Sequence, residues 1–363
     1  MKKWITALLL GLLLLPLGGC RRLDLLPYAR EIEGAALMQI LGLDAWEDGV
    51  TVSASTGVQK GESKATVLSR QGRSISSALL DMQADGASYI FYGHVGQLLL
   101  GETLARRDVR PVLDYVLRDI EMRLDTNIYL MRGNTAQEAL SAGSEGGRSA
   151  AGRLEAMEDD AGLISHATPR TVKQALEDLS ATGSTFAPAL ELGENGELTA
   201  VGYGILKEGR LAGWAEGNAA RGINLLLGKV DADVVDLDGA ALRVVGAETS
   251  VRPVFEDGRL TGLEILCRVE ANVSEEPPSG GMADPEDRAR MVRILAGVEQ
   301  ARIEHALSLA GELDADFLDL EDMACLATPW NARAVRAQWD LSALEFHVEV
   351  QARVLRGYDV DET

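Results

Sequence analysis

Hydrophobic positions recur along this chain at two spacings, and the spacings alternate in blocks. Val50, Val52 and Ala54 alternate with Thr51, Ser53 and Ser55, which predicts a half-buried strand. An apolar run at 34–44 precedes it, and polar residues 59–71 read as a loop. Ser74 stands before Ile75, Ala78, Leu79 and Met82, whose i, i+3, i+4, i+7 pattern predicts a serine-capped amphipathic helix. Residues 88–100 read as strand, bent at Gly93 or Gly96. Asp108 and Pro111 open a second helix with Val112, Leu113, Val116, Leu117 and Ile120 as its buried stripe. Residues 127–132 predict another strand. Thr135 to Glu138 then matches a capping box that opens a third helix. This order of strands and helices predicts mixed α/β layers.

The pattern changes in the second half. Ser141–Arg153 is small, Gly-rich and polar, a loop or hinge. Thr168-Pro169 opens a helix carrying Val172, Ala175, Leu176 and Leu179 on one face. Gly193–Gly196 marks the main boundary. Beyond it, 198–206 and 210–215 flank a hairpin turn at 207–210, and Asp257-Gly258 marks a second hairpin. Leu263, Ile265, Cys267, Val269, Ala271 and Val273 form one face of a long strand. A loop at 274–288 leads into a long helix burying Met291, Ile294, Leu295 and Val298. In 344–354, Leu344, Phe346, Val348, Val350, Ala352 and Val354 oppose Glu345, His347, Glu349, Gln351 and Arg353. The fold class is therefore mixed α/β and α+β. An N-terminal α/β region (20–192, two subdomains hinged near 141–153) precedes a C-terminal domain (193–363) with an antiparallel sheet on a long helix.

The first nineteen residues stand apart from this pattern. Lys2 and Lys3 precede an apolar run, Ile5–Leu17, thirteen residues long and interrupted by Gly11 and Pro16. A basic start, an apolar stretch of about 7–15 residues and small residues at its end describe a secretory signal peptide. The run is shorter than the roughly 20 residues of a membrane span. It ends in Leu17-Gly18-Gly19-Cys20, the pattern of a lipobox, so Cys20 is expected to carry a diacylglycerol and to become the first mature residue. Two acyl chains hold a protein at a bilayer far better than one.

Charge narrows the partners. The whole chain carries −21, and losing residues 1–19 removes Lys2 and Lys3 but no acid, leaving −23. A body this acidic repels phosphate backbones, so nucleic acid is not an expected partner. The acyl anchor then has to supply the membrane attachment that a basic patch would otherwise provide. Besides Cys20, only Cys267 and Cys325 are present. The alternation places Cys267 in the core, which favours buried thiols over a bridge.

Catalytic motifs are few. Ala142-Gly143-Ser144-Glu145-Gly146 has the spacing of a nucleophile elbow but follows a helix rather than a strand. The stretch 314–319 resembles a calcium loop but lacks the glycine at its sixth position and the glutamate at its twelfth, where Cys325 stands. It reads as a solvated acidic loop. No two of His94, His166, His305 and His347 share metal-ligand spacing. His94, between Gly93 and Gly96 in an apolar stretch, reads first as a structural histidine. Arg118, Asp119, Glu121 and Arg123 alternate in charge at a helix end, an ion-pair cluster or a partner contact. No cofactor and no metal are expected. A solute-binding or enzymatic site near His94 is the alternative reading.

Several blocks in order carry a family resemblance. Behind the lipobox stand Arg30-Glu31-Ile32-Glu33 and Leu41-Gly42-Leu43-Asp44. Tyr92-Gly93-His94, Gly101-Glu102, Leu104-Ala105, Asp114, Arg118-Asp119, Glu121, Arg123, Gly133 and Ala136 follow. Then come Gly202-Tyr203-Gly204-Ile205-Leu206-Lys207, Leu211-Ala212-Gly213-Trp214, Arg221-Gly222, Trp330, Trp339-Asp340 and Gly357. In these the chain resembles the Ger(x)C family of spore germination lipoproteins, the C subunits of GerA-type germinant receptors. It departs from the family at Asp316-Phe317-Leu318-Asp319, where a glycine-rich turn is usual, and at Tyr28, a displaced aromatic. The resemblance implies no catalysis. It implies a subunit tethered through Cys20 on the outer face of the spore's inner membrane, beside integral membrane A and B subunits, in a complex that answers nutrients. Gly93, His94, Arg118 and Asp119 are the residues expected to serve structure or partner contact.

Overall fold

The computed structural model of the chain describes residues 34–58, 65–85, 88–143, 149–159, 168–230, 233–237, 239–275 and 285–355. Residues 1–19, expected to be a signal peptide, and Cys20, Tyr28, Arg30–Glu33, His166 and Gly357 lie outside the described residues. From Ala36 onward the chain forms one compact unit.

A large mixed sheet occupies the first part. Its strands are β1 (Ala36–Trp46), β2 (Gly49–Thr56), β3 (Val67–Gly72), β5 (Gln97–Leu100), β6 (Asn127–Met131), β8 (Ser184–Leu192), β9 (Leu198–Lys207) and β10 (Arg210–Ala215). Short strands β4 (Ile90–Phe91) and β7 (Arg170–Thr171) pair with β1 and β6. The order is β10-β9-β8-β6-β5-β1-β2-β3. The centre, β1-β5-β6-β8, is parallel, and the hairpins at both edges are antiparallel.

Both faces of this centre are covered. Helices α1 (Ile75–Asp85), α2 (Glu102–Arg107), α3 (Arg110–Arg118) and α6 (Val172–Ala181) pack on one face. Helices α4 (Ala136–Gly143) and α5 (Ala150–Asp159) pack on the other. Leu98, Leu100, Ile128 and Leu130 enter the first core, while Leu99, Tyr129 and Met131 enter the second. Burial on both sides explains why β5 and β6 are apolar at nearly every position instead of alternating.

The second sheet has the order β11 (Asp233–Leu237), β12 (Ala240–Glu256), β13 (Arg259–Glu275), β14 (Glu345–Leu355). Helix α7 (Gly217–Leu226) and the long helix α8 (Pro285–Leu313) share its core, with α9 (Leu320–Ala327) and α10 (Ala332–Ala337) beside them. Glu208-Gly209 and Asp257-Gly258 both have two positive φ angles, 49° and 76° and 47° and 79°, the primed turns of two-residue hairpins. The sheet is antiparallel from β11 to β13, and β14 then joins β13 in parallel. Alternation along 344–354 defines a strand and its faces but carries no direction.

Several expectations change. Val67–Gly72 is a strand, not loop: it is the sheet's edge, so polar residues such as Ser69 and Arg70 are tolerated, and Ser69 bonds Ser53 at 2.9 Å. Of the 141–153 stretch expected as loop or hinge, 141–143 belong to α4 and 150–153 to α5; residues 144–148 lie outside the described residues. Helix α6 starts three residues later than Thr168-Pro169, at the capping box of Thr171 and Gln174. Leu117, Ile120 and Ile294 are exposed rather than buried. α3 ends at Arg118, so Ile120 lies beyond the helical stripe. The acidic stretch 314–319 is not solvated throughout. Asp316 is buried and accepts the Leu320 and Glu321 amides at 2.8 and 3.0 Å, capping α9. The boundary expected at Gly193–Gly196 is the turn between β8 and β9, so the first sheet runs across it.

Candidate functional site

The charged helix end expected at 118–123 is a tyrosine–carboxylate cluster joining α3 to the 89–95 segment. After α3 the chain turns back on itself: Asp119 Oδ1 accepts the Glu121 amide at 2.9 Å, and Tyr115 donates its hydroxyl to Asp119 Oδ2 at 2.9 Å. Glu121 is thereby aimed at β4. It accepts the Tyr89 hydroxyl at 2.7 Å and the Tyr92 amide at 3.4 Å. The hydroxyls of Tyr92 and Tyr115 are both pushed well above the ordinary phenol range. Burial is the main cause, with Glu121 adding to it at Tyr92 and the bond to Asp119 at Tyr115. Both tyrosines therefore act as neutral hydrogen-bond donors.

Gly93 and His94 form the tip of a turn closed by the Val95 amide on the Tyr92 carbonyl, 2.9 Å. A Cβ at Gly93 would come within 2.4 Å of the Phe91 ring, so a larger residue there requires that ring to move. His94 is exposed, and among the described residues its ring makes no hydrogen bond or ion pair. Arg118 donates its Nε–H to both carboxylate oxygens of Asp114 at 2.8 Å, one helical turn back. The fold thus places Gly93 and Asp119 in one cluster with Glu121, and leaves His94 and Arg118 at its margin.

A cleft of about 580 Å³ opens beside this cluster. Its floor includes Ile75, Leu104 and Val112 from α1, α2 and α3. Its rim carries Arg73, Arg107 and Arg118 together with Asp48, Asp114 and Asp119. Arg107 ties α2 to the turn between β1 and β2 by donating to the Glu47 and Gly49 carbonyls at 2.6 and 3.2 Å. An apolar floor with a rim of both signs suits binding of an amphipathic or zwitterionic group. A nucleophile hydrogen-bonded to a base is not found on this rim.

Tyr89 and Glu47 escape local pattern reading because each acts on a partner distant in sequence, 32 and 60 residues away, whereas Tyr115 reaches Asp119 one helical turn on. The signal within reach was the density of tyrosine around Gly93. Among the described residues, no group of three or more histidines, cysteines or acids could hold a metal. Cys267 and Cys325 are free, buried thiols. No helix among the described residues is long and apolar enough to cross a membrane.

Residues 28–192 match a family model described as the spore germination protein N-terminal domain. Residues 201–357 match one described as spore germination B3/GerAC like, C-terminal. Among solved structures, the crystal structure of the GerBC protein matches with a TM-score of 0.59 and 18% identity, over 87% of this chain and 96% of that one. At that identity the likeness is one of fold. No curated protein matches the chain.

Proposed function

Because this chain belongs to the Ger(x)C family of spore germination proteins, we propose that it serves as a lipid-anchored, non-enzymatic subunit of a nutrient germinant receptor. It acts beside integral membrane A and B subunits on the outer face of the spore's inner membrane. The observation that carries this reading is that both germination-protein domains fall on one chain directly behind the lipobox ending at Cys20. The Gly93–Glu121 cluster and the cleft fit a role in contact and binding: their polar groups are held in hydrogen bonds and ion pairs within the fold. The rival reading, an enzyme or solute-binding protein with its site at His94, is weakened by that residue's exposed turn.

The test is germination of the native spore. Deleting the gene, or replacing Cys20→Ala, is expected to abolish or strongly slow the response to nutrients while leaving spore formation intact. Normal nutrient germination of both strains, with no paralogue present, contradicts the proposal. Turnover of a metabolite by the purified chain, lost in His94→Ala, would favour the enzymatic reading instead.

A further inference from the structure

The second sheet ends in a strand that nothing among the described residues continues. In the order β11-β12-β13-β14 the last strand pairs with β13 on one side only. It has eleven residues, whereas the other three sheet ends, β3, β10 and β11, have six, six and five. Its register with β13 runs unbroken from Gly262 opposite Glu345 to Asn272 opposite Leu355, so no bulge twists it away. It contains no proline and no glycine. Natural proteins blunt a free edge with short strands, prolines, bulges or charges turned inward, and β14 has none of these.

Burial marks the same edge as open. Leu263, Ile265, Cys267, Val269 and Ala271 of β13 are 0–1% exposed. Their register partners on β14, Phe346, Val348, Val350, Ala352 and Val354, face the same core but are each only half-buried. The core therefore stops at an apolar row with an uncovered flank, and one more strand beside β14 would close it.

The outward row selects the partner. It reads Glu345, His347, Glu349, Gln351, Arg353, all exposed. A twofold pair of identical strands sets residue i opposite j and j opposite i. Centred on Gln351, an antiparallel pair sets Glu349 opposite Arg353 twice and Gln351 opposite itself. On the core side Val348 then meets Val354, and Val350 meets Ala352. Opposite charges and β-branched pairs across a ladder stabilise it. Moving the axis to Glu349 keeps two ion pairs, through Glu345, but sets Glu349 against its own copy. Moving it to Val350 removes the ion pairs. Residues 347–355 carry one acid and one base, so the paired segment is neutral in a chain of −21. We propose that β14 pairs antiparallel with β14 of a second copy of this chain, about a twofold axis at Gln351, joining two four-stranded sheets into one.

The experiment uses the full-length chain in detergent micelles, mildly oxidised after single cysteines are introduced at exposed positions of β14. The wild type sets the baseline: Cys267 and Cys325 are buried, and any bridge through Cys20 appears there too. At the axis the two copies of position 351 face each other within reach of a disulfide, while those of position 347 stand eight residues apart, about 26 Å. Gln351→Cys is therefore expected to give the cross-linked dimer about tenfold faster than His347→Cys, or more. Adding Glu349→Arg or Arg353→Glu to Gln351→Cys sets like charges opposite each other twice and is expected to slow the cross-link several-fold. Adding both together is expected to restore it. Equal rates at 351 and 347, a faster rate at 347, or no dimer above the baseline overturns the pairing. Charge reversals whose combination fails to restore the rate overturn the register, and the proposal with it. Cross-linking of position 351 only to a different polypeptide, in spore membranes, gives the edge to another partner and likewise overturns it.

Discussion

At Asp44 a carboxylate near the C-terminal end of β1 is 6% exposed and caps a helix that begins 92 residues later, its two oxygens accepting the Ala136 and Gln137 amides at 2.8 and 2.9 Å. Burial pushes its pKa up, and the two amide bonds pull against that shift. Removing it leaves two helix-end donors unpaired in the interior, so Asp44→Ala is expected to cost about 1–3 kcal/mol in urea unfolding. An unchanged midpoint would contradict this role. Gly101 is small for the same reason: a Cβ there would meet Asp44 Oδ1 at 2.0 Å. Asp319 is shifted in the same direction without a compensating pair of amides. Burial and the nearby charge of Asp178, against the attraction of Arg170, raise its pKa to about 6. Between pH 4 and 6 the folded chain therefore holds a proton that the unfolded chain has released, and stability falls as pH rises through this window. Asp319→Asn keeps a residue tolerant of the left-handed φ of 56° and removes the titration. Its stability is expected to be flatter than that of the wild type across pH 4–6 in thermal melts; parallel curves would count against the assignment.

At the scale of elements, α7 crosses α8 closely at a glycine. A Cβ at Gly222 in α7 would lie 2.0 Å from the Arg302 carbonyl of α8. Arg302 itself is buried with Asp233 and Glu299, which it holds at 2.7 and 2.8 Å, so the crossing brings a helix, a strand and an ionic group together. Gly222→Ala is expected to wedge the helices apart at a cost of about 1–3 kcal/mol, measured by chemical denaturation, and a variant as stable as the wild type would refute the close crossing. Most elements could be read from spacing alone. Ile75, Ala78, Leu79 and Met82 are the four buried residues of α1, and 263–273 and 344–354 show the predicted faces. What spacing misses depends on partners outside the window. The edge position of β3 excuses its polar residues, the direction of β14 is set by its crossover, and Ile120 continues a helical stripe past the end of α3, while Leu117 sits within the helix on an uncovered face. The tyrosines around Glu121 lie 29 and 32 residues from their acceptor, so their density around Gly93 gives no hint of that partner.

For the whole molecule, the first sheet does not stop where the two family segments meet. β8 and β9 pair from Ser184 to Lys207, and Phe186 and Tyr203 share a core with the second sheet. Their rings meet edge to face at 5.2 Å, Arg170 stands over Phe186, and Tyr203 bonds Asn224 of α7. The central claim is that this subunit works within a membrane receptor, and the most direct measurement is affinity purification of the full-length, tagged chain from detergent-solubilised spore inner membranes. The account predicts an acylated Cys20 chain that brings with it two multi-span membrane proteins in constant ratio. Recovery of the chain from the soluble fraction, unacylated and without such companions, would contradict it.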